Sequence, residues 1–294
     1  MSLSTRLAAA TIGDLEPPDS RHQIILTSGA TIVLYVVPRS GRVFVVDPVT
    51  ALCVNPGEVV RLHEARREGY RATVISVDPE LVAGGTLTGA QSPTCHARLP
   101  VRAVVLSATA LLLAQRLRRE RRWDAARTGP AVRLSGATDR SESALAFVRA
   151  LFSGVEDPFT TAGEGRAHPH RWRVLADAVK QEIGEEPAAP HLIKDVAARL
   201  DMSPFHLARV FRAETGLSIH QYLLRLRMAG ALERLCRDSV SISRLALDLG
   251  FSSHSHFTAA FQRLFGASPG SVRSSLCAED CACADAGRGQ LRHG

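Results

Sequence analysis

The sequence predicts an α+β chain, with a β-rich module first, helices behind it, and an all-α module built as a tandem repeat at the end. Three observations predict this. Residues 22–78 read as short β-branched runs cut by turn signals, residues from 101 onward read as helices, and residues 196–266 repeat themselves at an offset of 49–50. The chain has 294 residues, 45% hydrophobic and 22% charged, which excludes wholesale disorder. At roughly 150 residues per domain it holds about two domains.

Residues 1–18 read as a loose lead-in. Residues 19–90 carry the strands: IILTSG, ATIVLYVV, RVFVVD, ALCVNPGEVVRL and YRATVISV, separated by Gly29, Pro38 to Gly41, Asp47-Pro48, Asn55 to Glu58 and Glu68-Gly69. Turn signals every ~8–12 residues predict an antiparallel sandwich or small barrel. In Asn55-Pro56-Gly57, Pro presets φ and Gly supplies a positive φ, which predicts a tight turn.

Residues 91–155 form a helical extension, Val101 to Trp123 and then Ala144 to Phe152 behind a Gly129-Pro130 break. These two helices either cover one face of the sheet or offer a dimer interface. Residues 156–190 read as a polar linker and a lead-in helix, Trp172 to Ile183, stopped by Gly184 to Pro190. The longest apolar run, Ala103 to Ala114, is about 12 residues against the ~20 that span a bilayer. An Arg cluster from Arg116 to Arg122 follows it at once. No signal-like apolar core precedes Asp14, so the expectation is a cytoplasmic protein with no membrane partner.

The repeat carries the most information. VAARLDMSPFHLARVFRAETG (Val196 to Gly216) aligns with LALDLGFSSHSHFTAAFQRLFG (Leu245 to Gly266). Ala197, Asp201 and Ser203 match Ala246, Gly250 and Ser252, while Leu207, Phe211 and Gly216 match Phe257, Phe261 and Gly266. Each copy has the grammar of a helix-turn-helix. A small Ala lets the second helix approach, and four residues later a turn residue must accept positive φ, freely at Gly250 and at modest cost at Asp201. An apolar plug follows, Met202 or Phe251, and then a Ser N-cap, Ser203 or Ser252. Pro204 takes N1, where its missing N–H costs nothing. Between the copies, Ile219 to Arg237 reads as one helix, about 28 Å long at ~1.5 Å per residue. That is close to the ~34 Å between successive major-groove faces on one side of DNA.

These residues resemble the DNA-binding domain of the AraC/XylS family of bacterial transcription regulators. The resemblance spans 191–273 and is sharpest in GFSSHSHFTAAFQRLFG with its following Ser-Pro, and in FRAETG with YLLRLR. It departs from the family at Asp201, where Gly is usual, and at Cys236, where an aliphatic residue is usual. Gly230 also sits inside the linking helix, at a cost of roughly 0.5–1 kcal/mol against Ala. The resemblance implies two helix-turn-helix units reading two adjacent major grooves of double-stranded DNA, with RNA polymerase as a further partner and activation as the commoner outcome. It places Phe205, Ala208 and Arg209, and then His254, Ser255, His256, Thr258 and Ala259, at base-facing positions. Arg209 suits a bidentate contact to guanine and Phe205 a thymine methyl. Ser203 and Ser252 flank these helices. Arg212, Arg227, Arg244, Gln262 and Arg263 are phosphate candidates.

Charge agrees with this without deciding it. The net charge is +7, and of 36 basic residues all but Lys180 and Lys194 are Arg. Arg suits phosphate and guanine, but a GC-rich coding sequence yields the same bias. The family also implies a cupin-like small barrel in front that takes a small-molecule effector and helps form a homodimer. Ile24, Leu34, Phe44 and Val74 are the candidate effector-lining residues. No cofactor is expected, since only His63-Glu64, with His22 at the edge, offers metal donors there. His254 and His256, two residues apart on a helix, point about 200° apart and cannot share a metal.

Cys277, Cys281 and Cys283 give the second reading, a regulator responding to thiol chemistry or a soft metal held by these three residues in the tail 274–294. Glu279 and Asp280 beside them oppose thiolate formation. An enzyme is not expected. One family of repair proteins joins such a DNA-binding domain to a methyl-accepting cysteine site, but here only Cys53 and Cys95 precede residue 191. No nucleophile array, phosphate loop or paired carboxylates appear either.

Overall fold

The computed structural model describes residues 3–9, 22–28, 32–37, 42–65, 71–79, 99, 103–128, 142–153, 170–235 and 240–276. It is mixed α and β, with helix-turn-helix units in the C-terminal part. The strands are β1 (Leu3–Ala9), β2 (His22–Ser28), β3 (Ile32–Val37), β4 (Arg42–Val46), β5 (Thr50–Val54), β6 (Val59–Ala65), β7 (Arg71–Val77) and β8 (Ala103–Val105). The helices are α1 (Ala108–Thr128), α2 (Glu142–Phe152), α3 (His170–Glu185), α4 (Ile193–Arg199), α5 (Pro204–Thr215), α6 (Ile219–Leu235), α7 (Ile242–Asp248) and α8 (His254–Phe265). A last helical stretch covers 269–276.

The strands correct the expectation of a closed barrel. Among the described residues they form two open antiparallel sheets, β1-β7-β2-β5-β8 and β4-β3-β6. β1 and β8 end the first sheet with one neighbour each, so it does not close on itself. A second correction lies in the supposed lead-in. Leu3 to Ala9 pair with β7 along their whole length, from Leu3 opposite Val77 to Ala9 opposite Arg71. A third is β8: Ala103–Val105 pair with β5, and the helix begins only after Ser107, whose Oγ accepts from the Ala110 amide at 3.1 Å.

The Asn55 turn forms as expected. Gly57 has φ of 76°, and the Glu58 amide donates to the Asn55 carbonyl at 3.2 Å. The Asn55 side-chain oxygen accepts from the Leu99 amide at 2.8 Å and lies 3.1 Å from His22 Nδ1. His22 therefore serves a buried hydrogen-bond network at the end of a central strand.

The first sheet is buried on both faces, which its register makes visible. Ile24, Leu26, Ala51, Cys53 and Ile75 share one face and join the same apolar core as Ala110, Leu111, Ala114, Leu117, Phe147, Val148 and Leu151 of α1 and α2. Of the two readings of these helices, the sheet-covering one accounts for their buried faces. Ile25, Leu52 and Val74 lie on the opposite face and are equally buried. No described helix is long and apolar enough to cross a membrane.

The core continues into the C-terminal helices, and one polar cluster joins the two parts. The Tyr222 hydroxyl on α6 donates to Asp47 Oδ2 at 2.6 Å and lies 2.8 Å from Thr50 Oγ1. The Val49 amide donates to Asp47 Oδ1 at 3.0 Å. Arg225, one turn along α6, donates to the Leu106 carbonyl at 2.7 Å. Burial pushes the Asp47 carboxyl above its ordinary value, against the pull of nearby Lys180 and of the Tyr222, Thr50 and Val49 hydrogen bonds.

A raised pKa means the folded chain holds this proton more tightly than the unfolded chain. The contribution of Asp47 to stability is therefore fully present below the ordinary carboxylate value and is lost as pH rises from there through the raised value. Asp47→Asn removes that contribution. Its melting temperature is expected to fall less than the wild type's as pH rises from about 4 toward neutrality; identical pH profiles for the two chains would refute the assignment.

Candidate nucleic-acid interface

The two helix-turn-helix units are α4-α5 and α7-α8, and the same local rules build both. Ala197 and Ala246 are fully buried where the second helix crosses the first. Their carbonyls accept from the Met202 amide at 2.9 Å and the Phe251 amide at 3.0 Å, closing each turn. Both turns use a left-handed residue, Asp201 with φ of 51° and Gly250 with φ of 78°. Asp201 is the one non-glycine residue with positive φ among those described, as the repeat requires.

Ser203 caps α5, its Oγ accepting from the His206 amide at 3.3 Å, and Pro204 follows at N1. The second cap differs from expectation. Ser253, not Ser252, caps α8, accepting from the His256 amide at 3.1 Å. The extra residue of the second copy thus sits in the turn, and the offset becomes 50 at the cap itself. Ser252 lies 3.2 Å from His256 Nδ1 instead.

The repeat also runs further than its sequence signal. Gly216 and Gly266 close α5 and α8 in the left-handed region, at φ of 73° and 74°. Two residues later, Ser218 and Ser268 each cap the next helix, accepting from Gln221 at 3.2 Å and Ser271 at 3.1 Å. Gln221 returns a bond to the Ser218 amide at 3.0 Å, completing a capping box.

Burial sorts the faces of α5 and α8. Leu207, Val210 and Phe211, and likewise Phe257, Ala260 and Phe261, turn into the core. Phe205, Arg209 and Arg212 are exposed on α5, with Ala208 half-buried between them. On α8, His254, Ser255, His256, Ala259, Gln262 and Arg263 are exposed and Thr258 is half-buried. Phe205 keeps 82% of its surface open to solvent, an unusual placement for a large apolar ring at the start of a helix. His254 lies 3.4 Å from Thr258 Oγ1 while His256 turns back to Ser252 and the edge of Phe251, so the two imidazoles diverge. Among the described residues no three metal-ligating side chains converge.

The phosphate candidates divide. Arg212 and Arg263 are exposed. Arg244 is largely exposed and pairs with Asp248 at 3.0 Å, one turn away. Arg227 is placed differently, as a clamp on backbone carbonyls. It donates to Pro187 at 2.7 Å, Ala189 at 2.9 Å and Gly250 at 3.0 Å, with Ala188 at 3.4 Å, and its guanidinium lies over Phe251. It ties the loop after α3 to the turn of the second unit. That turn leaves no room for a side chain. A Cβ on Gly250 would stand 2.0 Å from the Ala188 carbonyl oxygen.

The effector candidates do not converge. Ile24 is in the helix-facing core and Val74 on the opposite face of the sheet. Phe44 is buried in the second sheet. Leu34 pairs with Phe44 in register, and its side chain lies outside the described residues. Cys277, Cys281 and Cys283 also lie outside them, while Cys53 is a buried core thiol.

A helix-turn-helix domain family matches residues 196–275. The transcriptional regulator GlxA of Rhizobium meliloti is 40% identical over 110 residues, 37% of this chain and 32% of that protein. The transcriptional activator RhaS of Yersinia pestis bv. Antiqua is 30% identical over 126 residues, 43% of each chain. A solved AraC-type regulator structure from Chromobacterium violaceum is 26% identical over 35% of this chain and 93% of that one, with a TM-score of 0.34. The chain spans between 28% and 43% of the length of such curated relatives.

The clamp yields a pair of expectations. Gly250→Ala adds a Cβ to a left-handed residue against a carbonyl, and is expected to cost at least about 2 kcal/mol in urea unfolding. Asp201→Gly, at the matching turn, is expected to change stability by less than about 1 kcal/mol.

Proposed function

With residues 196–275 forming a helix-turn-helix domain of the AraC type, we propose that this chain is a sequence-specific regulator of transcription that reads double-stranded DNA. One observation carries the reading. Two helix-turn-helix units, each with one face of its second helix open to solvent, are joined by one largely buried helix into a single body. α6 has 17 residues, about 25 Å at ~1.5 Å each, which suits second helices placed in successive major grooves.

Arg209 and Phe205 are the proposed base readers of the first unit, with Ala208 beside them and Ser203 at its cap. Ser255, Ala259, Thr258, His254 and His256 serve the second, flanked by Ser252. Arg212 and Arg263 hold phosphates and fix register. Arg227 acts indirectly, by holding the second turn. The sheets and α1-α2 form the cupin-like module that modulates the reader, and its register extends that module to β1. A small-molecule effector, self-association and contact with RNA polymerase belong to the same proposal, as does activation, which the relative RhaS performs by its name.

Selection from a random duplex library with the full chain is expected to enrich two blocks about one helical turn, ~10 base pairs, apart. Arg209→Ala should lose about 1–3 kcal/mol of discrimination at one base pair of the first block. Binding of all sequences as before would remove Arg209 from that role. By contrast, Arg212→Ala should weaken every sequence alike and reduce the slope of log affinity against log salt by about one.

A further inference from the structure

The α5 reader has a support outside the helix-turn-helix, and it comes from α3. Trp172, in the first turn of α3, lies outside the residues 196–275 matched above. The Arg209 guanidinium sits over its ring, 5.7 Å from the centroid. The same indole meets the His206 ring edge-on at 6.4 Å. Arg209 Nη2 in turn lies 3.4 Å from His206 Nδ1, and because arginine only donates, the imidazole nitrogen is the acceptor. One exposed arginine is therefore held by an aromatic face and by a neighbour one turn back on its own helix.

The chemistry of that hold matters. A guanidinium carries its five N–H donors in its plane. A ring whose centroid lies 5.7 Å from the guanidinium carbon attracts the cation without accepting a hydrogen bond from it, and His206 uses one nitrogen at one end. Much of the donor edge remains for a base, while the side chain loses the rotamer freedom that binding would otherwise remove. Among the described residues the second unit has no counterpart. The residue matching Arg209 at an offset of 50 is Ala259, and the arginine over Phe251 is Arg227, whose donors go to backbone carbonyls.

We infer that Trp172 is a positioning residue for base reading, which pre-organises Arg209 and so makes the first helix-turn-helix the more discriminating of the two. This rests on the DNA-reading function proposed above.

The test uses the full chain and its own selected site. Affinities are measured for that site and for single base-pair changes in each block, with wild type, Trp172→Phe, Trp172→Leu, Arg209→Ala and the Trp172→Leu/Arg209→Ala pair. An exposed cation–π contact of ordinary strength corresponds to a two- to fivefold change. Discrimination at the Arg209 base pair is expected to fall by about that factor in Trp172→Leu and by less in Trp172→Phe, which keeps a ring face. Discrimination in the second block should not change. In the pair, Trp172→Leu should add nothing to Arg209→Ala.

Unchanged discrimination in both Trp172 variants overturns the inference, as does an equal loss in both blocks, which would mark a role in folding alone. If Trp172→Leu fails to fold, the Trp172→Phe comparison decides by itself. A wild-type chain that enriches no site overturns the DNA-reading function, and this inference with it.

Discussion

Among the described residues, the C-terminal units are arranged around one helix, α6, that is buried or half-buried along nearly all of its length. α6 places Ile219, Tyr222, Leu223, Leu226, Met228, Ala231, Leu232 and Leu235 in the core, so it has no single apolar stripe. A helix in that position must be covered by several neighbours at once. Both helix-turn-helix units share its core, while the β module reaches it through Asp47 and Thr50. Gly230 lies on the same helix. A Cβ there would meet Leu249 at 3.4 Å, where α6 passes the end of α7. That is ordinary van der Waals distance to the end of a flexible side chain, so the crossing does not by itself demand glycine.

Several arginines among the described residues hold structure together. Arg118 donates to the Thr27 carbonyl at 2.8 Å, Arg225 to Leu106, Arg273 to Val240 at 2.8 Å, and Arg227 to the loop after α3. Arg234 pairs with Asp248 at 2.7 Å. The fork of donors that suits phosphate also suits unpaired carbonyls at the ends of helices and strands. A net positive charge therefore overstates the cationic surface open to an anionic partner, and the exposed set on α5 and α8 is small.

What could be read in advance follows the range of the interactions. Turn and cap rules act over three or four residues, so Asp201, Gly250, Ser203, Pro204 and the Asn55 turn were legible. The second cap slipped by one because Ser252 and Ser253 are chemically equivalent, and only the path of the chain chooses between them. β1 was not legible. LSTRLAA has little β-branched character, and Leu3–Ala9 is a strand because β7 offers it an unpaired edge some seventy residues away.

Residue order alone was enough for the α+β division, the two helix-turn-helix units and the exposed faces of α5 and α8, because periodicity and local backbone preference set all of these. It was not enough for the pairing of Tyr222 with Asp47, for Arg227 leaving the anion-binding set, or for Trp172 lying under Arg209. Those depend on which surfaces dock, and docking follows from burial summed over whole helices and sheets. A side chain's role as clamp or reader is then fixed by the carbonyls and rings that this packing brings within reach.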